Sequence, residues 1–413
     1  MNDEIRSQFL GGCDQVGNLA MVLELGGMKL LFDYGMAPGK PPSFPLPPPL
    51  VDLTFLTHAH LDHSGMIPWL CAQADQTVLG TQITGELMTL LQKDTVKIAQ
   101  MDGYSVPFTN TDVRNAEHSY ISVDQSKKRE LGDDYLVRYH SAGHIPGSLM
   151  YELVGDKKIV FTGDLNVVDT RLVEGTKPVP CDILFMEGTY AGREHTKRNV
   201  LEKAFLDKID DVVKRGGVAV VPSFALARSQ EILLVLKNAG YDIWFDGMGK
   251  KIAKIFLRYP RYVRSVEDLR KALKKTNMVH SEHGRKMALK SEVIITSSGM
   301  MDGGPVLWYM NHLKADKKSA VLLTGYQVEG TNCHLLMEKH QLNFYGVREP
   351  IACEVEYFDF SAHAGHSELI QFAKSCHPEK VVLCHSDNRE PLVGPLQEFT
   401  QVLTPKKGEV FTL

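Results

Sequence analysis

The stretch that decides the fold is THAHLDHSG, residues 57–65. An apolar run of strand length, residues 51–56, precedes it, and residues 66–70 favour the start of a buried helix. The stretch therefore lies on the loop at the C-terminal end of a predicted strand, where α/β proteins place their chemistry. Three imidazoles and one carboxylate fall within six positions of this loop, residues 58–63.

The spacing of these side chains suits two metal ions. His58 and His60 are two residues apart and project the same way while the chain is extended. Asp62 and His63 are adjacent and therefore point apart, as ligands of two different ions would. Histidine and carboxylate are ligands that borderline cations such as Zn²⁺ take. A polar loop with chance histidines is the alternative, but the density of ligand-type residues favours a metal site.

Size and cysteine content indicate the class of protein. With 413 residues, the chain is expected to form two domains, or one domain enlarged by an insertion. It has no apolar run long enough to span a bilayer, and its acidic start, residues 1–4, does not resemble a signal peptide. Seven scattered cysteines without a CxxC motif favour free thiols in a reducing compartment. These features predict a cytoplasmic protein without a membrane partner.

The basic residues are concentrated in one block. The net charge of the chain is −4, which alone argues against a polyanionic partner. Between residues 250 and 290, however, there are thirteen Lys and Arg residues and three acids, a local net charge of +10, so the rest of the chain is near −14. Such a block is typical either of a solvated helix face or of a groove for a polyanion.

Further polar groups follow predicted strands elsewhere in the first part of the chain. Asp33 ends an apolar run that a Gly-Gly turn joins to the run before it, which predicts a β-hairpin. His144 lies in a glycine-flanked turn and is a further ligand candidate, while Asp164 and Glu187 each follow a strand-like run. Near a metal centre Asp33 could orient a ligand histidine, and Asp164 is a natural bridging ligand. Polar groups at corresponding strand ends favour one site over separate caps and turns.

The middle of the chain has a different pattern. From about Asn199, strands and helices alternate as in a parallel α/β domain, with Ser223 and Ser298 at strand tips. Hydroxyls and backbone N–H groups there can hold phosphates, although ordinary turns are the alternative. Histidines return with His363, and with His385 at the end of another predicted strand. The candidate site residues therefore lie both before and after the middle domain in the sequence, which implies that the middle domain is inserted into the first.

These motifs together resemble the metallo-β-lactamase superfamily, whose HxHxDH motif matches residues 58–63. More narrowly, the chain is similar to the β-CASP branch, which includes RNase J and the endonuclease subunit of the cleavage and polyadenylation specificity factor. The other motifs of that branch are matched by Asp33, His144, Asp164, Glu187, His363 and His385. The resemblance implies a metallo-β-lactamase αββα sandwich formed by residues 1–192 and 356–413. It also implies a parallel α/β β-CASP domain, residues 193–355, inserted into that sandwich.

The resemblance further implies a site with two Zn²⁺ ions. One ion would be held by His58, His60 and His144, and the other by Asp62, His63 and His385, with Asp164 bridging them. His363 is then the candidate general acid, oriented and kept protonated by Glu187. Asp62 would also orient the attacking water, and Asp33 would orient a ligand histidine.

The expected partner is single-stranded RNA. Four residues are candidates for phosphate contacts, namely Tyr190, Ser223, Arg228 and Ser298. A cleft between two domains would admit a single strand more readily than a duplex, with the basic block as its electrostatic guide. A second copy of the chain and other RNA-processing proteins are the protein partners considered.

The predicted function is zinc-dependent hydrolysis of single-stranded RNA phosphodiesters, in RNA processing, 3′-end maturation or decay. Endonucleolytic cleavage is predicted, with 5′–3′ exonuclease activity as a second mode. His385 favours RNA, because DNA-repair members of the branch tend to carry valine there. A small-molecule hydrolase of the lactonase or thioesterase type is one alternative, and the basic block argues against it. A non-cleaving scaffold subunit is the other, and the complete ligand set argues against that.

Overall fold

The computed structural model describes residues 5–37, 39, 41–325 and 329–413, so the acidic start used above, residues 1–4, lies outside the described part. The strands in the described residues are β1 (Arg6–Gly11), β2 (Ala20–Leu25), β3 (Met28–Phe32), β4 (Leu53–Phe55), β5 (Val78–Gly80), β6 (Tyr120–Ser122), β7 (Arg129–Leu131), β8 (Tyr135–Ser141), β9 (Leu149–Val154), β10 (Lys158–Phe161), β11 (Ile183–Glu187), β12 (Ala219–Pro222), β13 (Ile243–Asp246), β14 (Asn277–Met278), β15 (Val293–Thr296), β16 (Ala320–Leu323), β17 (Gln341–Phe344), β18 (Val347–Pro350), β19 (Glu354–Tyr357), β20 (Lys380–Cys384), β21 (Gln401–Leu403) and β22 (Val410–Thr412).

The described residues form thirteen α-helices, and one of them, in the first part of the chain, is 21 residues long. They are α1 (Leu61–Ser64), α2 (Ile67–Gln73), α3 (Gln82–Asp102), α4 (Asn110–Ser119), α5 (Arg198–Lys214), α6 (Arg228–Leu236), α7 (Gly249–Arg258), α8 (Val266–Lys274), α9 (Glu282–Ala288), α10 (Pro305–Leu313), α11 (Asn332–Lys339), α12 (His366–Cys376) and α13 (Glu390–Gln397), with a 3₁₀ helix at Pro260–Tyr262. Within the described residues, none of these helices is both long and apolar enough to cross a membrane.

The chain folds as two units. The first comprises Met1–Asp169, Glu174–Glu194 and Ala362–Leu413, and the second comprises Thr170–Val173 and His195–Ser361. All seven cysteines are free thiols, as their spacing in the sequence predicts.

The first unit contains two seven-stranded sheets, ordered β22-β1-β2-β3-β4-β5-β6 and β21-β20-β11-β10-β9-β8-β7. Their facing sides share one core, because side chains alternate between the two faces of a strand. Phe32 and Phe55 of the first sheet lie 4.9 Å, between ring centroids, from Phe161 and Tyr151 of the second, respectively. The two sheets therefore form the central layers of a sandwich.

Helices cover the outer faces of this sandwich. Val160 points away from the shared core and packs with Leu369 of α12 and Leu392 of α13 in a second apolar cluster. On the other sheet, α3 contacts β6 and buries one apolar side, including Leu87 and Met88. This arrangement confirms the predicted αββα sandwich, and the burial of apolar surface on both faces of each sheet stabilises it.

The second unit is a six-stranded sheet, ordered β14-β13-β15-β12-β16-β19, in which every neighbouring pair is parallel. Helices α5 to α8 pack on one face through side chains that include Phe205, Ile232 and Ala272. Helices α9 to α11 cover the other face through side chains that include Met310 and Leu336. The unit confirms the parallel α/β domain that the strand–helix alternation predicts. A separate hairpin, β17–β18, is added after α11.

Candidate metal centre

The candidate ligands of the first unit follow the C-terminal ends of strands from both of its sheets. His58 and His60 follow β4, and Asp62 and His63 lie on α1, which begins directly after them. His144 lies on the turn after β8, Asp164 lies three residues after the end of β10, and His385 directly follows β20. Because the two sheets pack face to face, strand ends at the same edge of the sandwich bring together side chains that are far apart in sequence.

One group of ligand atoms comprises His58, His60, His144 and Asp164, with all four donor atoms within 4.8 Å of one another. Nδ1 of His60 lies 3.1 Å from Nε2 of His58 and 3.1 Å from Nε2 of His144. The Oδ2 atom of Asp164 is 3.5 Å from Nε2 of His58 and 3.6 Å from Nε2 of His144. Three imidazole nitrogens and one carboxylate oxygen thus converge on one point.

A second group comprises Asp62, His63 and His385. Nε2 of His385 lies 3.6 Å from Oδ2 of Asp62. The other oxygen of Asp164, Oδ1, lies 3.2 Å from Nε2 of His63 and 3.2 Å from Nδ1 of His385. Asp164 therefore faces the first group with one oxygen and the second group with the other, which is the geometry of a bridging carboxylate.

The buried polar atoms of this centre fit divalent cations. Nε2 of His63 and Oδ1 of Asp164 are buried and lie 3.2 Å apart, but neither makes a hydrogen bond of acceptable geometry among the described residues. Buried polar atoms without a partner are costly, and a cation between them would satisfy both. The donor set, imidazole nitrogens with carboxylate oxygens, is the set that borderline divalent cations take.

The electrostatics of the first group keep its imidazoles neutral, which is the form that coordinates a metal. Burial lowers the pKa of His60 to about 4, although Asp62 and Asp164 oppose the shift. Burial also lowers the pKa of His58 and of His144 well below the ordinary histidine value.

The pKa of His63 shifts in the opposite direction. Its burial disfavours the charged form, but Asp164 and Asp33 outweigh burial and raise its pKa well above the ordinary value. The carboxylates therefore create a negative potential at Nε2 of His63, at a position where a metal cation can take the place of a proton.

Asp33 and Thr57 contact the Nδ1 atoms of His63 and His58, respectively. Asp33 accepts hydrogen bonds from the backbone N–H of Thr57 (2.7 Å) and from its hydroxyl (2.8 Å), and its Oδ2 lies 2.7 Å from Nδ1 of His63. The Thr57 hydroxyl also lies 3.0 Å from Nδ1 of His58. Since that hydroxyl donates to Asp33, it accepts from His58, whose Nε2 then carries a lone pair toward the first group. The sequence predicts this role for Asp33, whereas no pattern in the sequence marks Thr57 as part of the site.

Two other contacts orient His144 and His385. Nδ1 of His144 donates to the carbonyl of Ala362 at 2.8 Å, which leaves Nε2 as an acceptor in the first group. Nδ1 of His385 lies 3.2 Å from the hydroxyl of Thr189. Thr189 was also missed, and the only signal in the sequence is its position two residues after the strand-end Glu187.

His363 and Glu187 form a pair at the edge of the centre. Nδ1 of His363 lies 2.8 Å and 3.1 Å from the two carboxylate oxygens of Glu187, which is 1% exposed. Nε2 of His363 lies 3.9 Å from Oδ2 of Asp164. Burial opposes protonation of His363, but Glu187 and Asp164 raise its pKa above the ordinary value. The ring of Tyr190, a candidate for phosphate contact, is 5.9 Å from that of His363.

The other three candidates for phosphate contact belong to the second unit. Ser223 and Ser298 follow the neighbouring strands β12 and β15, and Arg228 begins α6. The hydroxyl of Ser223 lies 3.3 Å from that of Thr324, and the Arg228 guanidinium donates to the carbonyl of Thr324. Thr324 follows β16, so these residues gather at the carboxyl ends of adjacent parallel strands. No pattern in the sequence marks Thr324 as a neighbour of these residues.

Three family profiles match the chain. The Metallo-beta-lactamase superfamily matches residues 14–213, and the Beta-Casp domain matches residues 229–336. The Zn-dependent metallo-hydrolase RNA specificity domain matches residues 348–391. The RNA specificity domain includes the candidate ligand His385 and the candidate acid His363, and the superfamily match includes all the other candidate ligands.

Curated relatives and a solved structure agree with these matches. Probable RNase MJ4 of Methanocaldococcus jannaschii is 35% identical over 97% of this chain and 98% of its own length. RNase aCSPSF2 of Saccharolobus solfataricus is 33% identical over 98% of this chain and 85% of its own length. A protein of unknown function from Enterococcus faecalis superimposes with a TM-score of 0.61 at 15% identity, covering 99% of this chain and 100% of the other, which supports the fold alone. The chain therefore belongs to the β-CASP branch of the metallo-β-lactamase superfamily.

Proposed function

We propose that this protein is a zinc-dependent ribonuclease that hydrolyses phosphodiester bonds of single-stranded RNA. One observation carries the proposal: two groups of metal-ligand side chains share Asp164, and the His363–Glu187 pair lies 3.9 Å from that carboxylate. The names of the two relatives above, both called RNases, support RNA as the substrate. The RNA specificity domain matched at residues 348–391 supports it as well.

The site would hold two Zn²⁺ ions. His58, His60 and His144 would bind one ion and Asp62, His63 and His385 the other, with Asp164 between them. Zinc bound there supplies Lewis acidity, which activates water at neutral pH and stabilises negative charge on the phosphoryl oxygens. Asp33 and Thr57 would orient His63 and His58, so that their Nε2 atoms face the ions.

The proton for the leaving 3′-oxygen would come from His363. Glu187 accepts from Nδ1 of His363, which fixes the ring and leaves Nε2 directed toward Asp164 and the centre. A raised pKa favours the protonated form that a general acid needs. Asp62, half-buried at the same centre, would accept a hydrogen bond from the attacking water and orient it.

The substrate would be held through its phosphates. Tyr190 lies beside His363, and Ser223, Arg228 and Ser298 lie at strand ends of the second unit. Cleavage is proposed to be endonucleolytic, with 5′–3′ exonuclease activity as a second mode, in RNA processing, 3′-end maturation or decay in the cytoplasm. A second copy of the chain or other RNA-processing proteins would be its protein partners.

The test is cleavage of a 5′-end-labelled single-stranded RNA, with and without prior metal chelation, resolved at nucleotide length. Chelator-sensitive internal fragments support a metal-dependent endonuclease. Labelled mononucleotide alone, formed faster from 5′-monophosphate than from 5′-triphosphate ends, shows a 5′-exonuclease instead. Intact RNA in the presence of protein verified to carry two zinc ions refutes the proposal and favours a small-molecule hydrolase or a scaffold subunit.

A further inference from the structure

The second unit carries a group of exposed lysines that the catalytic centre does not use. They are Lys251 and Lys254 on α7 and Lys271 and Lys274 on α8. We call these four residues the α7–α8 basic face. They belong to the block of residues 250–290, whose local net charge is +10 in a chain of net charge −4.

Helix periodicity places each pair of lysines on one outward side. On α7, Ile252, Ala253, Ile255 and Phe256 are buried, whereas Lys251 and Lys254, three residues apart, are exposed. On α8, Leu269 and Ala272 are buried, whereas Lys271 and Lys274, again three residues apart, are exposed. Each helix therefore has one apolar side and one cationic side.

The two helices lie in one layer. Ala253 and Ala272 belong to the same apolar core on one face of the second unit's sheet, and α7 and α8 contact each other directly. Helices that pack side by side on one face of a sheet present their outer sides to the same solvent region. The four lysines consequently form one surface and not two separate ones.

The positive charges of these four lysines are largely not neutralised by nearby carboxylates. Among the described residues, none of the four lysines forms a salt bridge within 4.0 Å, and the two acids of α8 have other partners. Glu267 pairs with Arg270 (2.5 Å), and Asp268 pairs with Lys237 (2.7 Å), although Lys271 also acts on Asp268 through its charge. On α5, by contrast, exposed Lys203 pairs with Asp207 at 2.5 Å.

Lys251 and Lys254 are close enough on α7 to repel each other, whereas Lys271 and Lys274 lie in the last turn of α8, where the helix dipole favours cations. The inference of a negatively charged partner therefore rests on the grouping of four exposed positive charges on one surface. The remainder of the chain is near −14, which shows that the positive charge is local and not a general property of the surface. The ammonium groups of these lysines are point charges on flexible side chains. Adjacent pairs of them suit a regular array of anions, such as the phosphates of a nucleic-acid backbone.

We propose that the α7–α8 basic face binds the backbone phosphates of single-stranded RNA, through lysines that do not belong to the metal centre. This inference rests on the proposed ribonuclease function and adds a second contact surface to it. Lysines that contact phosphates carry no sequence information, so the surface favours long RNA over short RNA without selecting a sequence.

Charge reversal tests the inference. The variants are K251E/K254E and K271E/K274E, and the neutral K251Q/K254Q shows whether loss of positive charge is enough. The matched control is K406E/K407E, an exposed lysine pair outside the block with the same change in net charge. All variants carry His363→Ala to prevent cleavage, gels confirm that the RNA stays intact, and thermal melting confirms folding.

The measurement is fluorescence anisotropy of labelled, unstructured RNAs of about 30 and about 6 nucleotides over a series of salt concentrations. For the long RNA, each double reversal is expected to weaken binding about tenfold or more at low salt. It should also lower the slope of log K against log salt by about 1.4, because single-strand contacts contribute about 0.7 each. The control and the short RNA are expected to change little.

Equal effects of K251E/K254E and K406E/K407E would show that only net charge matters and overturn the inference. Unchanged RNA binding in both reversals would overturn it as well and favour an acidic protein as the partner of this face. If the parent protein binds neither RNA at any salt concentration, the proposed ribonuclease function itself fails. The two failures are therefore distinguishable.

Discussion

Nδ1 of His363 lies 2.8 Å from Oε1 of Glu187, and that carboxylate is 1% exposed. Glu187 is itself held by the backbone N–H of Leu165, which donates to Oε1 at 2.8 Å. Because Nδ1 is engaged in this way, the ring can exchange a proton with the centre only through Nε2. In the proposed mechanism this pair would transfer the proton while other side chains bind the metal, and the two roles can be measured separately.

Replacing His363 with Ala should slow cleavage by about 10²–10⁴-fold and leave zinc content near that of the parent protein. His363 belongs to neither group of clustered ligand atoms, and general acid catalysis typically contributes about 10²–10⁴-fold to the rate. Single-turnover cleavage and metal analysis of the same preparation check both parts. Loss of zinc together with activity would show that His363 supports the metal centre, and its assignment as the acid would then be wrong.

Much of the fold follows from local patterns in the sequence. The Gly26–Gly27 turn joins β2 and β3 as predicted, and both glycines have positive φ, as a two-residue hairpin turn requires. The hairpin β17–β18 escaped prediction because Tyr345, with a φ of 53°, stands at a turn position where Asn or Gly is the usual signal.

The ligand types of the centre are visible in the sequence, but their support is not. Thr57 contacts Asp33 across 24 residues of sequence, and Thr189 contacts His385 across 196. A threonine beside a strand end has many ordinary uses, and only the folded chain shows which imidazole its hydroxyl meets. Side chains whose role depends on one distant partner are therefore the ones that sequence reasoning misses.

Replacing Thr57 with Val should weaken zinc binding about 10–100-fold, which is the usual effect of losing a group that orients a metal ligand. The change removes the hydroxyl that lies between Asp33 and His58 and keeps a side chain of similar volume. Competition with a chromophoric chelator measures the affinity without relying on activity. Thr57→Ser is the control, since it keeps the hydroxyl and should retain most of the affinity. A similar loss in both variants would point to packing of the methyl group instead.

Glu152 should make stability depend on pH in the acid range. A hydrogen bond with His140 (2.8 Å) lowers the pKa of Glu152; burial opposes the shift, and Arg138 reinforces it. A carboxyl whose pKa is lower in the folded state stabilises the fold above its unfolded pKa, about 4.3. That contribution is lost as pH falls through the lower, folded pKa.

The corresponding variant is Glu152→Gln. We expect a loss of about 1 kcal/mol in the free energy of unfolding at pH 7, and a difference from the parent that shrinks as pH falls below about 4. Chemical denaturation at several pH values measures it. Glu24→Gln, which alters an exposed pair with Lys29, is the control and should change stability little. A deficit that persists unchanged into the acid range would show that charge at Glu152 is not its cause.

Replacing His385 with Ala should reduce bound zinc from two ions to about one per chain. His385 belongs to the group with Asp62 and His63, and the group of His58, His60 and His144 keeps its own ligands. Metal analysis after gel filtration gives the stoichiometry, and His140→Ala is the control, because His140 lies outside both groups on β8. Retention of both ions would remove His385 from the ligand set. Loss of both would mean that the two groups bind zinc cooperatively through Asp164, whose two oxygens face one group each.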